Sequence, residues 1–219
     1  MAENQEVSTS QWRIDVWFPD LNPEILKQLK TYHDELLKFN KTLSIISQKT
    51  VAMADALHFA DSILASRVIA KSNPKIQEIY DLGLGSGFPG LVFAIMNPHI
   101  KVHVVESDQR KCEFLKHIIA SVRIPNANVF SVKLDEIKEN SMQYVMTRGL
   151  ASISKVIMAT RKSVPKGGVI FHLKGEQWGM EVSEIPIQLC SLWTPGLVGE
   201  YRLPVGEIKF SVIKTDKIA

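Results

Sequence analysis

The N-terminal third of the chain carries apolar residues at the spacing of amphipathic helices. After the helix-cap residue Asn22 and the first-turn residue Pro23, apolar side chains recur at every third or fourth position. These are Ile25, Leu29, Tyr32 and Leu36. The pattern predicts a helix over residues 23–39, and similar spacing predicts a second helix from about residue 50 to about residue 70. We therefore predict an N-terminal helical extension, residues 13–70, after a disordered polar tail, residues 1–12.

From residue 71 to residue 219, short apolar runs alternate with helical ones, which is typical of a mostly parallel sheet covered by helices. The predicted strands are 76–82, 102–106, 128–132, 144–147 and 169–173. The longest predicted helices between them are 109–122 and 152–163. In the tail, residues 189–193 and 208–214 are strand-like with no helical run between them, which predicts an antiparallel hairpin.

Composition narrows the classes of function. The 219 residues are 45% apolar, enough for one hydrophobic core, and no apolar run approaches the roughly 18 residues that cross a bilayer. Because 26 basic residues are balanced by 23 acidic ones, any nucleic-acid surface must be a local patch. Cys112 and Cys190 form no C-x-x-C pair, so we expect neither a disulfide framework nor a metal site. A cytoplasmic protein with no membrane partner fits best.

Residues 81–90, which read Asp-Leu-Gly-Leu-Gly-Ser-Gly-Phe-Pro-Gly, follow the first predicted strand of the sheet. The alternate glycines Gly83, Gly85 and Gly87 allow a sharp turn, and they let a ligand approach the backbone without meeting a Cβ atom. Pro89 would begin the next helix, whose free amides would face a carboxylate or phosphate. This glycine loop predicts a nucleotide-like cofactor.

The residues alone leave the class of cofactor open. Gly85, Gly87 and Gly90 spell the dinucleotide fingerprint G-x-G-x-x-G, and Glu106 ends the second predicted strand about 20 residues later. A carboxylate there accepts hydrogen bonds from the ribose hydroxyls of either NAD or S-adenosylmethionine. An NAD-dependent oxidoreductase is therefore one alternative. A Walker loop is excluded because Leu91 follows Gly90.

Several segments together resemble one family. The loop at 81–90 looks like the cofactor loop of the bacterial 16S ribosomal RNA guanine-N7 methyltransferases, the RsmG (GidB) family. Further segments resemble that family in the same order: His58-Phe59-Ala60-Asp61-Ser62, Glu106-Ser107 with Lys111 and Phe114-Leu115, Thr147-Arg148-Gly149-Leu150-Ala151-Ser152, and Leu173-Lys174-Gly175. The resemblance runs from about Leu26 to the C-terminus. It implies a Rossmann-like α/β fold of the class I S-adenosylmethionine-dependent methyltransferases, with the predicted helical extension in front.

The resemblance also implies roles for single residues. Gly83 and Phe88 would line the S-adenosylmethionine pocket, Leu134 and Asp135 would contact the adenine, and Arg148 would lie at the ligand end of the fourth predicted strand. We predict that Arg148 holds cofactor or an RNA phosphate there. With the glycine-loop and strand-end residues added, the predicted cofactor site is Gly83, Gly85, Gly87, Phe88, Glu106, Leu134, Asp135 and Arg148.

The chain departs from the family pattern in two segments. Gly149 stands where the family usually has alanine, and Lys133-Leu134-Asp135-Glu136 stands where it commonly has Arg-Ala-Glu-Glu. Replacing arginine by lysine keeps the charge but loses the bidentate fork.

The implied reaction is methylation of a guanosine N7 in 16S ribosomal RNA or in a small-subunit particle, by a protein that we expect to be monomeric. Guanine N7 carries a lone pair and no proton, so no general base and no catalytic side chain are expected. Holding sulfur, methyl carbon and N7 in line would supply about 7 to 11 kcal/mol in favourable cases. A non-catalytic RNA-binding or ribosome-assembly protein on the same fold is the second alternative.

Two further features have both a structural and a functional interpretation. His58 lies on an amphipathic helix, where a single histidine is more often an interior structural group than part of an active site. The lysines of the N-terminal helices form either a solvated face or a phosphate-binding patch. They are Lys27, Lys30, Lys38, Lys41 and Lys49.

Overall fold

The structure, a computed structural model, describes residues 10–83 and 85–219. Strands β1 to β7 are Glu78–Leu82, Lys101–Glu106, Ala127–Ser131, Tyr144–Arg148, Val169–Lys174, Trp193–Arg202 and Lys209–Lys217. Within the described residues they form one sheet in the order β3-β2-β1-β4-β5-β7-β6. The first five strands are parallel, and β7 is antiparallel to both β5 and β6. The sheet confirms the predicted fold class and its C-terminal antiparallel hairpin.

The helices lie before the sheet and between its strands. Helices α1 to α4 are Ile14–Trp17, Pro23–Leu43, Gln48–Val51 and Asp61–Ser72, with a π-helix at Asp55–Ala60 directly before α4. Helices α5 to α9 are Gly90–Met96, Gln109–Val122, Ile153–Thr160, Trp178–Ser183 and Ile187–Cys190, and a 3-10 helix spans Leu134–Glu136. No helix in the described ranges is long and apolar enough to span a bilayer.

The first long helix, α2, confirms the prediction at its start and continues beyond residue 39. The Asn22 side chain accepts a hydrogen bond from the Glu24 N–H at 2.8 Å and so caps the helix. The second predicted helix is interrupted, because the π-helix changes the spacing of the buried side chains. Phe59 of the π-helix and Ile63 and Ile69 of α4 are among the fully buried apolar residues of this segment.

The predicted tail at residues 1–12 lies outside the described residues for positions 1–9. Ser10 contacts His33 through its hydroxyl, and the Gln11 N–H donates to the carbonyl oxygen of Ala52. Trp12 packs edge to face on Phe59, with ring centroids 5.5 Å apart. Residues 10–12 therefore lie against the helical extension.

The helical extension packs on one face of the sheet and shares a core with it. Leu36 and Phe59 of the extension are buried together with Val104 of β2 and Phe114 of α6. The other face carries a second core around Ile157 of α7, with side chains from β4, β5 and β7. The extension therefore shares its hydrophobic core with the sheet. The predicted boundary between the extension and the sheet, near residue 70, stays a prediction.

The start of the hairpin differs from the prediction. Residues 189–193 were expected to be a strand, but Ile187–Cys190 is helical and β6 begins at Trp193. Strand β6 contains Pro195 and Gly196. Both are poor strand formers, so the apolar pattern did not predict a strand at these residues. They are tolerated because β6 is an edge strand with a register shift between Leu197 and Gly199.

Candidate cofactor site

The site lies at the carboxyl ends of the parallel strands. Strand β1 pairs with β2 on one side and with β4 on the other, and both pairings are parallel. The order in which the chain adds strands to the sheet therefore reverses beside β1. Ligands of open α/β sheets bind in the crevice at such a switch point. The glycine loop follows β1 directly at this position, and its residue Leu84 lies outside the described residues.

The glycines of this loop are required by their surroundings. Gly85 and Gly87 have φ angles of +78° and +79°, in the left-handed region that disfavours side chains. A Cβ atom on Gly85 would lie 2.7 Å from Oε2 of Glu106 and would overlap the side chain of Lys111. The loop therefore approaches Glu106 closely, and the approach of a ligand to its backbone stays a prediction.

Glu106 is held in a fixed orientation at the end of β2. Its Oε1 atom accepts hydrogen bonds from the backbone N–H groups of Ser107 and Asp108, at 2.7 and 2.8 Å. Only 9% of the residue is exposed. Its other oxygen, Oε2, faces Gly85, so the carboxylate presents one preorganised acceptor towards the glycine loop.

A cleft that is open to solvent, with about 370 Å³ of empty space, lies beside this carboxylate. Among the described residues it is lined by Leu82, Gly83, Val105, Glu106, Ser107, Val132, Leu134 and Leu150. Apolar walls with one carboxylate at the edge suit a flat purine ring that carries a ribose. The structure therefore brings together three of the predicted residues, Gly83, Glu106 and Leu134. Asp135 is exposed beside Leu134 in the 3-10 helix.

Phe88 and Arg148 lie away from this lining, against the helical extension. Phe88 is 2% exposed. Its ring stacks on the rings of Tyr32 and His58, with centroid separations of 5.0 and 5.2 Å. The Arg148 guanidinium donates to Oδ2 of Asp61 at 2.5 Å and lies 3.1 Å from Nδ1 of His58. The contacts of these two residues are with protein groups, and their roles towards cofactor or RNA stay predictions.

Comparison with known proteins identifies the family. The family model described as GidB, rRNA small subunit methyltransferase G, matches residues 25–192. The protein named ribosomal RNA small subunit methyltransferase G 3 of Bdellovibrio bacteriovorus (strain ATCC 15356 / DSM 50701 / NCIMB 9529 / HD100) is 60% identical over the full length of both chains. The chain belongs to the rRNA small subunit methyltransferase G family.

Solved structures support the fold of this family member. The precorrin-6y C5,15-methyltransferase of Geobacter metallireducens GS-15 matches with a TM-score of 0.52 and 12% identity, over 70% of this chain and 88% of that one. MtNAS, in complex with MTA and tNA, matches with a TM-score of 0.57 and 14% identity, over 90% and 73% of the two chains. At these identities the likeness shows the fold alone.

Asp81 is a residue of this methyltransferase whose role the sequence reasoning missed. It is fully buried below the glycine loop, and its Oδ2 atom accepts the Gly90 N–H at 2.8 Å. Burial raises the pKa of the Asp81 carboxyl to about 7, although the Gly90 hydrogen bond and Arg148 act to lower it. The signal in the sequence was an acidic residue inside an otherwise apolar strand end.

The bond between Asp81 and Gly90 corrects one expectation. The first amides of α5 were expected to face a ligand, but the Gly90 N–H is bonded to Asp81 and the Leu91 N–H to the carbonyl oxygen of Gly87. Helix α5 begins after Pro89, as predicted from the proline. Its first turn holds the glycine loop in shape through these two bonds.

The remaining candidates have structural surroundings in the methyltransferase. His58 is half-buried, and burial, with Arg148 as the second cause, lowers its pKa to about 3. On α2, Lys30 pairs with Asp34 at 2.6 Å and Lys38 with Glu35 at 3.6 Å. These pairs reduce the net charge that α2 presents to a phosphate.

Proposed function

We propose that the protein transfers a methyl group from S-adenosylmethionine to N7 of a guanosine in 16S ribosomal RNA. The observation that carries the proposal is the Glu106 carboxylate, fixed at the edge of an apolar cleft and facing the glycine loop, in a member of the rRNA small subunit methyltransferase G family. The RNA substrate follows the name of the 60% identical relative. Such a substrate, as naked RNA or as a small-subunit particle, would place the protein in the cytoplasm.

The cleft suits the adenosine part of the cofactor. The Glu106 carboxylate would accept the ribose hydroxyls, and Leu134 would pack against the adenine, with Asp135 at the edge of the ring. The bare backbone at Gly83 would lie along the ligand, while Gly85 and Gly87 keep the loop in its turn. When bound, S-adenosylmethionine supplies an electrophilic methyl group.

The chain contributes orientation to the reaction, since the N7 lone pair needs no general base. A cation beside N7 would oppose the positive charge that the methylated base acquires. Arg148 is already engaged by Asp61, and we propose that its further contacts are with cofactor or an RNA phosphate, not with N7. An Arg148→Ala variant is then expected to bind cofactor or RNA more weakly.

The alternatives have lost their support. An NAD-dependent oxidoreductase shares the glycine loop and Glu106, but the family of the chain is one of methyltransferases. A non-catalytic assembly protein would keep the fold without the reaction, and membership of a methyltransferase family does not support that alternative. We propose that the active protein is a monomer.

Labelled methyl transfer tests the function. The purified protein is incubated with methyl-labelled S-adenosylmethionine and either 16S ribosomal RNA or small-subunit particles from cells that lack this protein. We expect incorporation, and N7-methylguanosine as the labelled nucleoside by mass spectrometry. No incorporation into either substrate at saturating cofactor, or saturable binding of NADH alone, would reject the proposal.

A further inference from the structure

A buried polar cluster lies between the helical extension and the ends of the sheet strands. It is centred on Asp61 of α4, which is 1% exposed. Its Oδ1 atom accepts the hydroxyl of Tyr201 from β6 at 2.6 Å, and its Oδ2 atom accepts Arg148 from the end of β4 at 2.5 Å. A buried carboxylate needs such donors, so Asp61 fixes where both of them lie.

The second half of the cluster reaches the glycine loop. Arginine can only donate, so the 3.1 Å contact between Arg148 and Nδ1 of His58 requires that Nδ1 be the acceptor. The proton of the neutral ring is then on Nε2, which donates to Oγ1 of Thr50 at 3.0 Å. The same His58 ring stacks on Phe88 of the glycine loop.

The cluster therefore joins two segments that border the cofactor cleft. Phe88 belongs to the loop that contains Gly83, and Arg148 is followed two residues later by Leu150, which also lines the cleft. The guanidinium itself lies over the Phe88 ring, 5.6 Å from its centroid. A shift of Asp61 would move both segments relative to each other.

We propose that Asp61 and Tyr201 are positioning residues of the methyl transfer, which hold Arg148 and, through His58 and Phe88, set the glycine loop against the segment after β4. This rests on the proposed function. Neither residue is among the residues that line the cleft, so their loss acts on the alignment of the reacting groups and leaves the adenosine contacts at Glu106 and Leu134 in place.

The most specific test of this proposal is the variant Tyr201→Phe, which removes one hydrogen bond to Asp61 and keeps the aromatic ring. We expect kcat for RNA methylation to fall roughly tenfold, because a hydrogen bond to a charged group is lost, while the Kd for S-adenosylmethionine changes less than about threefold. Asp61→Asn, which removes the ion pair, is expected to lower kcat further. Tyr144→Phe is the matched control, since the Tyr144 hydroxyl makes no side-chain hydrogen bond in the described residues, and its kcat should equal that of the wild type.

A spectroscopic readout separates positioning from a general loss of stability. In the wild type, nitrogen NMR of His58 should show a neutral ring with the proton on Nε2, and Asp61→Asn should change that signal because Arg148 is released. A wild-type kcat in both Tyr201→Phe and Asp61→Asn would overturn the proposal. For Tyr201→Phe, which keeps the ion pair between Asp61 and Arg148, a tenfold lower kcat together with a tenfold higher Kd for S-adenosylmethionine would also overturn it. Absence of methylation by the wild type would instead reject the proposed function.

Discussion

Gly87 lies directly against the hydroxyl of Tyr32, so closely that a Cβ atom on Gly87 would overlap the hydroxyl oxygen. The same hydroxyl donates to the carbonyl oxygen of Ser86 at 2.5 Å. Helix α2 of the extension thus holds the glycine loop by a hydrogen bond that tolerates only glycine beside it. Through this contact the helical extension supports the glycine loop.

Gly87→Ala is therefore expected to destabilise the protein by about 2 to 4 kcal/mol, from the strain of a positive φ angle and from the displaced tyrosine. Urea unfolding measures the loss. Adding Tyr32→Phe removes the overlapping oxygen, so the double variant should lose less stability than the sum of the two single variants.

Gly179→Ala provides the matched control for this prediction. Gly179 lies in helix α8, and nothing is within 4 Å of a Cβ added there. Alanine has the better helix propensity, so this variant should be as stable as the wild type or more stable by up to about 1 kcal/mol. Equal losses at Gly87 and Gly179 would contradict the close contact with Tyr32.

Glu106→Gln should weaken S-adenosylmethionine binding roughly 10- to 100-fold, as measured by calorimetry. The oxygen of the new amide must keep the bonds to the backbone N–H groups of Ser107 and Asp108, so the NH2 group takes the place of Oε2. The cleft then loses its charged acceptor while its shape is kept. Glu113→Gln, on the exposed surface of α6, should bind cofactor like the wild type. Unchanged affinity in Glu106→Gln would remove Glu106 from the cofactor site.

Asp81 should make stability depend on pH. Its pKa in the folded protein is about 7, and in the unfolded chain it is about 3.9, so the folded state holds a proton that the unfolded state has lost. The stabilisation from this proton is complete below about pH 4 and is lost as the pH rises through about 7. Between about pH 5 and about pH 8, the wild type should lose on the order of 3 kcal/mol more than Asp81→Asn does. Parallel pH profiles of the two proteins in urea unfolding would show that Asp81 is ionised throughout.

Arg13 and Asp55 hold the start of the extension in place. The Arg13 guanidinium makes two hydrogen bonds to the fully buried Asp55 carboxylate, at 2.8 and 2.9 Å. Arg13→Met would leave that charge buried without its partner and should cost about 3 kcal/mol in the free energy of unfolding. Arg13→Met with Asp55→Asn should recover much of this loss, because asparagine can still accept the Ala56 N–H. A double variant less stable than the single one would contradict this account.

The candidate site was predictable where it depends on strand ends. Gly83 and Glu106 end up in one cleft because β1 and β2 are parallel neighbours, so their carboxyl ends meet. Leu134 joins them because it follows β3, the next strand. These placements follow from the order of elements along the chain.

Arg148 shows where prediction from the sequence stopped. The family pattern indicated that this residue matters, but its partner Asp61 lies 87 positions earlier and Tyr201 lies on a strand that was located wrongly. Nothing local indicates which buried carboxylate receives a given guanidinium. The π-helix was also not predicted, because it is visible only from the backbone hydrogen bonds of Asp55–Ala60.

The amino-acid sequence by itself determined the alternation of helices and strands and the carboxylate at the end of β2, because both depend on the local period of apolar residues. It also determined the turn at the glycines, which depends on the backbone freedom of single residues. Only the tertiary structure decided that the extension closes over the glycine loop through Tyr32, and that Asp61 joins β4 to the C-terminal hairpin. Those contacts are made between distant segments whose distances are set by packing of the whole core.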